Sequence, residues 1–265
     1  MWNLSMTNVV ERSTIDRNVA QITLNRPSAH HALSKQMLDE LNQVVRKISI
    51  DPSIYCTIIT ATGEKSFCAG ADLKERRGMT DEQVVDAVRY IGETVSNIEK
   101  MPMPVIAALN GVAFGGGLEL ALACDLRLAA NHVKMGLTET SLAIIPGAGG
   151  TQRLSRLIGI GQAKRLIYTA KPIDAEEAFD LRLVERVVSS DSLLNEAVQW
   201  AKTIAQNGPI ALRQAKTSIN RGMEVDLETG LAIEHLCYKE TIPTKDRLEG
   251  LVAFKEKRTP QYQGK

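Results

Sequence analysis

The chain is poor in the residues that would indicate a metalloprotein or a disulfide-stabilised protein. Its 265 residues include four cysteines, four histidines and 4% aromatic residues, and no two cysteines form a Cys-x-x-Cys pair. Widely spaced cysteines in apolar runs indicate reduced thiols, so we expect a reducing compartment, the cytoplasm. Because no histidine and cysteine cluster is present, we expect no metal site.

Net charge and long apolar runs are lacking as well. The formal net charge is +1 and the pI is about 7.7, so no global field favours nucleic acid or an anionic membrane. No apolar run approaches a membrane span, and the N-terminus lacks the basic flank and apolar core of a secretory signal. The composition, 44% hydrophobic and 24% charged, is ordinary for a globular protein with a large core.

Strands and helices alternate over the first two thirds of the chain. Apolar residues at helical spacing predict a helix from Leu33 to Ile48 with Ser34 near its start. Strands are predicted over 19–24, 56–60, 105–110 and 126–130, and further helices over 81–100, 150–158 and from the three glycines at 115 to about 124. Residues 73–80 are interpreted as a polar, mobile segment. This order indicates an α/β fold with a mainly parallel sheet.

The pattern changes after about residue 188. Four consecutive segments are predicted to be helices, namely 191–206, 209–220, 226–240 and 244–258. We therefore divide the chain into a core with the active site, residues 1–192, and a helical region, residues 193–265, that packs on the core or on another subunit.

One carboxylate lies in an unusually apolar setting. Glu119 follows the turn Gly115-Gly116-Gly117 in a run of small and apolar residues that ends at Cys124. Burying a carboxylate costs free energy and raises its pKa toward neutrality, where acid–base catalysis is most effective. Glu119 is therefore the first candidate for chemistry. The alternative is a structural ion pair with Arg127 or Arg153.

Two further glycine turns accompany it. Residues 67–74 (Phe-Cys-Ala-Gly-Ala-Asp-Leu-Lys) follow a strand, and residues 145–153 (Ile-Pro-Gly-Ala-Gly-Gly-Thr-Gln-Arg) open a helix. Glycines at a helix N-terminus expose backbone N–H groups that favour negative charge. Because no Gly-Lys-Ser/Thr follows the second turn, a nucleotide site is not expected.

Two other residues allow more than one interpretation. Glu139 lies 20 positions beyond Glu119 and is either a second catalytic carboxylate or an exposed loop residue. Cys68 lies in the first turn, but no partner histidine is apparent, so packing is favoured over a nucleophilic role.

Together these motifs resemble the crotonase (enoyl-CoA hydratase/isomerase) superfamily across nearly the whole chain. The match rests on Ala-Gly-Ala-Asp-Leu-Lys, Gly-Gly-Gly-x-Glu, Ile-Pro-Gly-x-Gly-Gly-Thr-Gln-Arg-Leu and residues 244–258. Residues 135–140, 222–226 and 240–246 are similar to the methylglutaconyl-CoA hydratase, or AU-rich-RNA-binding, subgroup. The resemblance implies a crotonase (ClpP-like) spiral of ββα units with an all-helical C-terminal trimerisation region.

The resemblance also implies roles by position. Ala71 and Gly116 would supply the N–H groups of an oxyanion hole for the thioester carbonyl. Glu119 and Glu139 would hold and activate one water, which Gly147 would orient. The residues implied to contact coenzyme A are Asp72, Leu73 and Lys74 at its entrance and Phe254 and Lys257 near the C-terminus.

The implied activity is reversible syn hydration of a short-chain 2-enoyl-CoA without a metal or redox cofactor. Methylglutaconyl-CoA in leucine breakdown is the favoured special case. The alternatives are an enoyl-CoA delta-isomerase, although isomerases often keep only one of the two glutamates, and an AU-rich RNA-binding protein. The resemblance further implies a homotrimer or a dimer of trimers.

Two groups of charged residues bear on partners. The RNA-binding relative carries a line of lysines on its first helix, whereas here Lys35 is followed by Asp39 and Gln43, so nucleic acid binding is not expected. Lys74, Arg76 and Arg77 are either a solvated run of charge or contacts for coenzyme A phosphates or a distal substrate carboxylate.

Overall fold

The computed structural model describes residues 8–265, which form two sheets and a set of helices. The strands are β1 (Val10–Asp16), β2 (Val19–Leu24), β3 (Cys56–Ala61), β4 (Ser66–Cys68), β5 (Val105–Leu109), β6 (Val112–Phe114), β7 (Leu126–Ala130), β8 (Lys134–Gly136), β9 (Ile173–Asp174) and β10 (Arg186–Val188). The α-helices are α1 (Lys35–Ser49), α2 (Leu73–Arg76), α3 (Asp81–Glu99), α4 (Gly116–Leu122), α5 (Gly150–Ile158), α6 (Ile160–Thr169), α7 (Ala175–Asp180), α8 (Ser190–Ala205), α9 (Pro209–Gly222), α10 (Leu227–Thr241) and α11 (Lys245–Glu256). Short 3-10 helices cover Pro27–Ala29 and Glu139–Leu142.

Successive units of the chain give one strand to each sheet. The six-stranded sheet has the order β1-β2-β3-β5-β7-β10, and the four-stranded sheet has the order β4-β6-β8-β9. Strands β3, β5 and β7 pair in parallel in the first sheet, and the strands that follow them, β4, β6 and β8, pair in parallel in the second. Helices then return the chain to the next unit. The result is a spiral of ββα units, which confirms the α/β fold expected from the sequence.

The six-stranded sheet forms the centre of the core. Every residue of β3 and β5 is buried, which accounts for the apolar sequence of β5 and the largely apolar sequence of β3. Helix α1 packs on the sheet and on α3 through its buried side, and the Ser34 hydroxyl caps it by accepting the Met37 N–H.

The C-terminal helices divide into two groups. Helix α8 packs on β3, β5 and β7 and contributes Leu193, Ala197 and Ala201 to the main core, so the boundary predicted between residues 192 and 193 falls inside this helix. Helices α9 and α10 pack mainly on each other. Large apolar side chains remain exposed on α9, α10 and α11 and just after α9, among them Ile219, Met223, Leu227, Leu231, Leu236, Leu248, Leu251 and Phe254. Within residues 8–265, no helix is long and apolar enough to cross a membrane.

The sequence did not predict the short helix α2. Residues 73–80 were interpreted as a polar, mobile segment, and this segment begins with α2; its mobility stays a prediction. The Asp72 carboxylate makes this possible, because it accepts the N–H groups of Lys74 and Glu75 and so caps the first turn. A single turn of polar residues carries too little apolar periodicity to predict a helix.

Candidate active site

Three neighbouring parallel strands end at one edge of the four-stranded sheet. Strand β4 leads into the turn at Gly70 and Ala71, β6 leads into α4, and β8 leads into the 3-10 helix Glu139–Leu142. Because parallel strands have their carboxyl ends at the same edge, residues from three separate motifs come together there. Such edges are the usual location of ligand sites in α/β proteins.

The first pair of groups at this edge consists of two backbone N–H groups. A Cβ atom placed on Gly116 would lie 3.7 Å from the nitrogen of Ala71, and one placed on Gly70 would lie 3.1 Å from the nitrogen of Gly116. Gly116 is the first residue of α4, so its N–H has no acceptor within the helix. The two predicted donors are therefore neighbours, and such a pair can stabilise a negatively charged oxygen.

Glu119 lies on the first turn of α4 with only 3% of its surface exposed. Its Oε1 atom accepts the N–H of Ala148 at 2.8 Å and the N–H of Gly150 at 2.7 Å. Burial raises the pKa of Glu119, and these two hydrogen bonds together with the positive charge of Arg153 oppose that rise. The second glycine turn thus fixes one carboxylate oxygen in place.

Arg153 holds this glycine turn but does not pair with Glu119. Its Nη1 atom donates to the Ala148 carbonyl at 2.9 Å, and its Nε and Nη2 atoms donate to Glu99 at 3.0 and 2.6 Å. Arg127 forms its ion pair with a different glutamate. The structural ion pair considered from the sequence is therefore wrong, and the orienting role of Arg153 was not predicted.

Glu139 faces the start of α4. Its Oε1 atom lies 2.8 Å from the position that a Cβ on Gly115 would take, and its Oε2 atom is buried without a hydrogen-bond partner among residues 8–265. Burial raises the pKa of Glu139 to about 7, and the negative charge of Glu119 adds to this rise. Glu139 is therefore a half-buried acid coupled to Glu119 rather than an exposed loop residue.

The raised pKa of Glu139 predicts a pH-dependent stability. The folded state keeps this proton up to about pH 7, whereas the unfolded chain releases it near pH 4.5. Stability should therefore fall as the pH rises between these values, because deprotonation favours the unfolded chain. Glu139→Gln, which is always neutral, should raise Tm by about 2–6 °C at pH 8 and leave it unchanged at pH 4.5. Thermal unfolding of both proteins at the two pH values checks this, and a pH-independent difference would contradict it.

The residues predicted at the coenzyme A entrance differ in their burial. Asp72 is buried, and besides capping α2 it forms an ion pair with Arg26 at 2.6 Å. Its carboxylate is thus occupied by structural contacts that the sequence did not predict. Leu73 and Lys74 follow it and are exposed.

Three other predicted residues lie elsewhere, one in the loop that packs on α3 and two near the C-terminus. Gly147 packs closely on α3, because a Cβ atom there would lie 2.5 Å from Cγ1 of Val88. Phe254 and Lys257 lie at the end of α11 and are exposed. Their role in contacting coenzyme A stays a prediction.

Cys68 is a packing residue. Its side chain is fully buried, its Sγ atom donates to the His31 carbonyl at 3.1 Å, and burial raises its pKa to about 12. A thiol with such a pKa is not ionised at neutral pH and is a poor nucleophile.

The family of enoyl-CoA hydratases and isomerases matches this chain over residues 14–265. The chain belongs to this family. A Bacillus subtilis (strain 168) relative, YngF, a candidate enoyl-CoA hydratase/isomerase, is 55% identical over 94% of this chain and 96% of its own. Human mitochondrial methylglutaconyl-CoA hydratase is 49% identical over 94% of this chain and 75% of its own. The crystal structure of an enoyl-CoA hydratase from Bacillus anthracis, 53% identical, superposes with a TM-score of 0.96 over 97% of this chain and 100% of its own.

Family membership agrees with the fold. The protein is a crotonase-superfamily enzyme of the hydratase/isomerase type, and its solved relative has the same spiral. Crotonase-fold enzymes bind acyl-CoA substrates and typically oligomerise. The edge where β4, β6 and β8 end is therefore the candidate active site of such an enzyme.

Proposed function

We propose that this protein is an enoyl-CoA hydratase that adds water reversibly, with syn geometry, across the 2,3 double bond of a short-chain enoyl-CoA. The observation that carries the proposal is the pair Glu119 and Glu139. Their carboxyl groups are coupled, and they lie at the same sheet edge as the N–H groups of Ala71 and Gly116. Adding water requires one group that accepts a proton and one that donates a proton, and two carboxyls in different environments provide both.

The two environments indicate which carboxyl group is the base and which is the acid. Glu119 accepts two backbone N–H bonds, which favour its ionised form, so we assign it as the base. Glu139 has a pKa of about 7 and a buried oxygen without an acceptor or donor among the described residues, so we assign it as the acid. Since the two groups interact, their titration belongs to the pair rather than to either residue alone.

The proposed step follows from these assignments. Glu119 removes a proton from water while the water oxygen bonds to C3, and the electrons of the 2,3 double bond move to C2 and the thioester oxygen. The N–H groups of Ala71 and Gly116 stabilise the enolate charge on that oxygen. Glu139 then gives its proton to C2. Glu119 ends protonated and Glu139 ionised, and proton exchange with solvent restores both. The step needs no redox cofactor, since there is no net oxidation or reduction, and in this proposal the two N–H groups take the part that a Lewis-acid metal would play at the thioester oxygen.

We propose 3-methylglutaconyl-CoA, an intermediate of leucine catabolism, as the preferred substrate. Support comes from the 49% identity to the human enzyme named methylglutaconyl-CoA hydratase. Steady-state hydration followed at the thioester absorbance band should give a higher kcat/KM for 3-methylglutaconyl-CoA than for crotonyl-CoA. Preference for crotonyl-CoA would make the protein a general short-chain hydratase instead.

Product analysis separates the two activities of the family. A hydratase in deuterated water yields a 3-hydroxyacyl-CoA with deuterium at C2. A delta-isomerase yields a shifted double bond without a hydroxyl group. The second product as the main one would overturn the hydratase proposal.

RNA binding is not supported by the charge on α1. The Lys35 ammonium lies 2.7 Å from the Asp39 carboxylate, so the remaining lysine of that face is already paired. A gel-shift titration with AU-rich RNA at physiological salt should show no saturation below micromolar protein.

The assembly we propose is a homotrimer or a dimer of trimers. The exposed apolar side chains of α9, α10 and α11 support it, because monomeric proteins rarely expose so many together. Light scattering tests it, and a monomer would overturn it. The cytoplasmic location stays a prediction, which the four free, buried cysteines support.

A further inference from the structure

One arginine near the active site has no side-chain partner in the part of the chain that the structure describes. Arg76 is the last residue of α2 and is half-buried. Within residues 8–265 its guanidinium forms no ion pair and no side-chain hydrogen bond, and burial lowers its pKa while the negative charge of Glu119 opposes that change. A half-buried cation without a partner is unfavourable and calls for an anion.

The acidic side chains around Arg76 are already engaged. Asp72, Glu75 and Asp86 line the same cavity as Arg76, yet each has another partner. Those partners are Arg26 for Asp72, the backbone N–H of Lys35 for Glu75 and Arg89 for Asp86. The guanidinium therefore keeps its donors free for a ligand.

The cavity beside Arg76 adjoins the oxyanion hole. It has a volume of about 210 Å³, and its apolar walls include Leu33, Leu38 and Ile91. Leu33 lies between the cavity and the oxyanion hole, because it lines the cavity and its Cδ1 atom lies 3.1 Å from the position that a Cβ on Gly116 would take. A short acyl chain could extend from the oxyanion hole into this cavity. It would then contact the apolar walls, and Arg76 would be among the residues that line the cavity around it.

Position distinguishes Arg76 from its neighbours. Arg76 is half-buried and lines the cavity that adjoins the oxyanion hole, whereas Lys74 and Arg77 are exposed and lie outside the lining of that cavity. Coenzyme A phosphates are at the far end of the substrate from the double bond. An anion on the acyl group is therefore the better match for Arg76.

We propose that Arg76 is a specificity-determining residue that binds a carboxylate at the distal end of the acyl chain. This inference rests on the proposed function and names the substrate class, enoyl-CoA thioesters of dicarboxylic acids. The planar guanidinium can hold a carboxylate through two parallel hydrogen bonds, which a lysine cannot reproduce. A neutral acyl group would leave the guanidinium unpaired, and a site built for such a pair discriminates strongly against ligands that lack one member.

Binding of saturated ligands tests this without any reaction. Glutaryl-CoA and butyryl-CoA differ only by the terminal carboxylate, and neither can be hydrated. Calorimetry should show about tenfold or tighter binding of glutaryl-CoA to the wild-type protein. Arg76→Gln should lose that preference while still binding butyryl-CoA, and Arg76→Lys should keep part of it. Arg77→Gln, the exposed neighbour with the same change of charge, should behave like the wild type.

Kinetics supply the second measurement. The substrates 3-methylglutaconyl-CoA and 3-methylcrotonyl-CoA also differ only by the distal carboxylate. Arg76→Gln should lower kcat/KM for the first by about 10²-fold or more, mainly through KM, and change the second only a few fold. Equal losses for both ligands of a pair, or no wild-type preference for glutaryl-CoA, would overturn the inference. Failure of hydration with the binding preference intact would instead count against the proposed function alone.

Discussion

Glu119→Gln is expected to lower kcat for hydration by about 10²–10⁴-fold while acyl-CoA binding changes only a few fold. The amide has the same shape as the carboxylate, and its oxygen can still accept the N–H groups of Ala148 and Gly150. The glycine turn should therefore stay in place. What is lost is the negative charge and the ability to take a proton from water.

Glu40→Gln is the matched control for this substitution. Glu40 also accepts two backbone N–H groups through one oxygen, those of Val9 at 2.7 Å and Val10 at 3.0 Å, but it does so beside β1, far along the chain from the glycine turns. Glu40→Gln should keep full activity. Comparing it with Glu119→Gln therefore corrects for any structural effect of replacing a glutamate that accepts two backbone hydrogen bonds. Single-turnover hydration and calorimetric binding of butyryl-CoA are the measurements. Near-normal turnover of Glu119→Gln would remove Glu119 from the mechanism.

The sequence predicts many of the long elements of the fold, but not the strand β1 or the helix α6. The strands at 19–24 and 126–130 and the helix at 150–158 have the predicted bounds, and the four C-terminal helices begin and end within two residues of their predicted limits. These segments are long enough to show alternation, buried apolar runs or helical periodicity. The strands β4, β6 and β8 were not predicted, because three residues are too few to show a period.

The same limit applies to the site. Glu119 could be recognised from the sequence because burying an isolated carboxylate in an apolar run costs free energy, which indicates a functional role. Glu139 was recognised only through family spacing, since its burial depends on β8 lying next to β6. Neither the Arg153 contact to the Ala148 carbonyl nor the lack of a partner for Arg76 among residues 8–265 could be predicted, because each depends on how separate segments come together.

Gly70→Ala is expected to lower kcat by about 10²–10³-fold, the loss typical for one oxyanion donor. Gly70 has a φ of +89°, and a Cβ there would lie 2.7 Å from the Phe114 carbonyl and 3.1 Å from the Gly116 nitrogen. Both contacts are to backbone, so the turn that carries the Ala71 N–H must shift. The substitution therefore separates the two donors and lowers stability as well.

Gly63→Ala separates backbone strain from this contact. Gly63 has a similar φ of +73°, but no atom of residues 8–265 lies within 4 Å of a Cβ placed on it. Gly63→Ala should lose about 1–2 kcal/mol of stability because an L-residue is strained at positive φ, and Gly70→Ala should lose more because its Cβ also meets backbone atoms. Only Gly70→Ala should lose activity. Equal kcat values for the two, measured below both Tm values, would show that the close approach of Gly70 to Gly116 does not matter for catalysis.

If Gly70→Ala does not fold, Gly116→Ala tests the same role of the Ala71 and Gly116 N–H groups in catalysis. The nearest atom to a Cβ on Gly116 is Cδ1 of Leu33 at 3.1 Å, the end of a flexible side chain, so the fold can accommodate the methyl group. That methyl group would lie 3.7 Å from the Ala71 nitrogen, beside the space where the thioester oxygen must approach both donors. A folded variant with about 10²-fold lower kcat/KM is expected. A folded variant with wild-type activity would mean that the thioester carbonyl does not bind between Ala71 and Gly116.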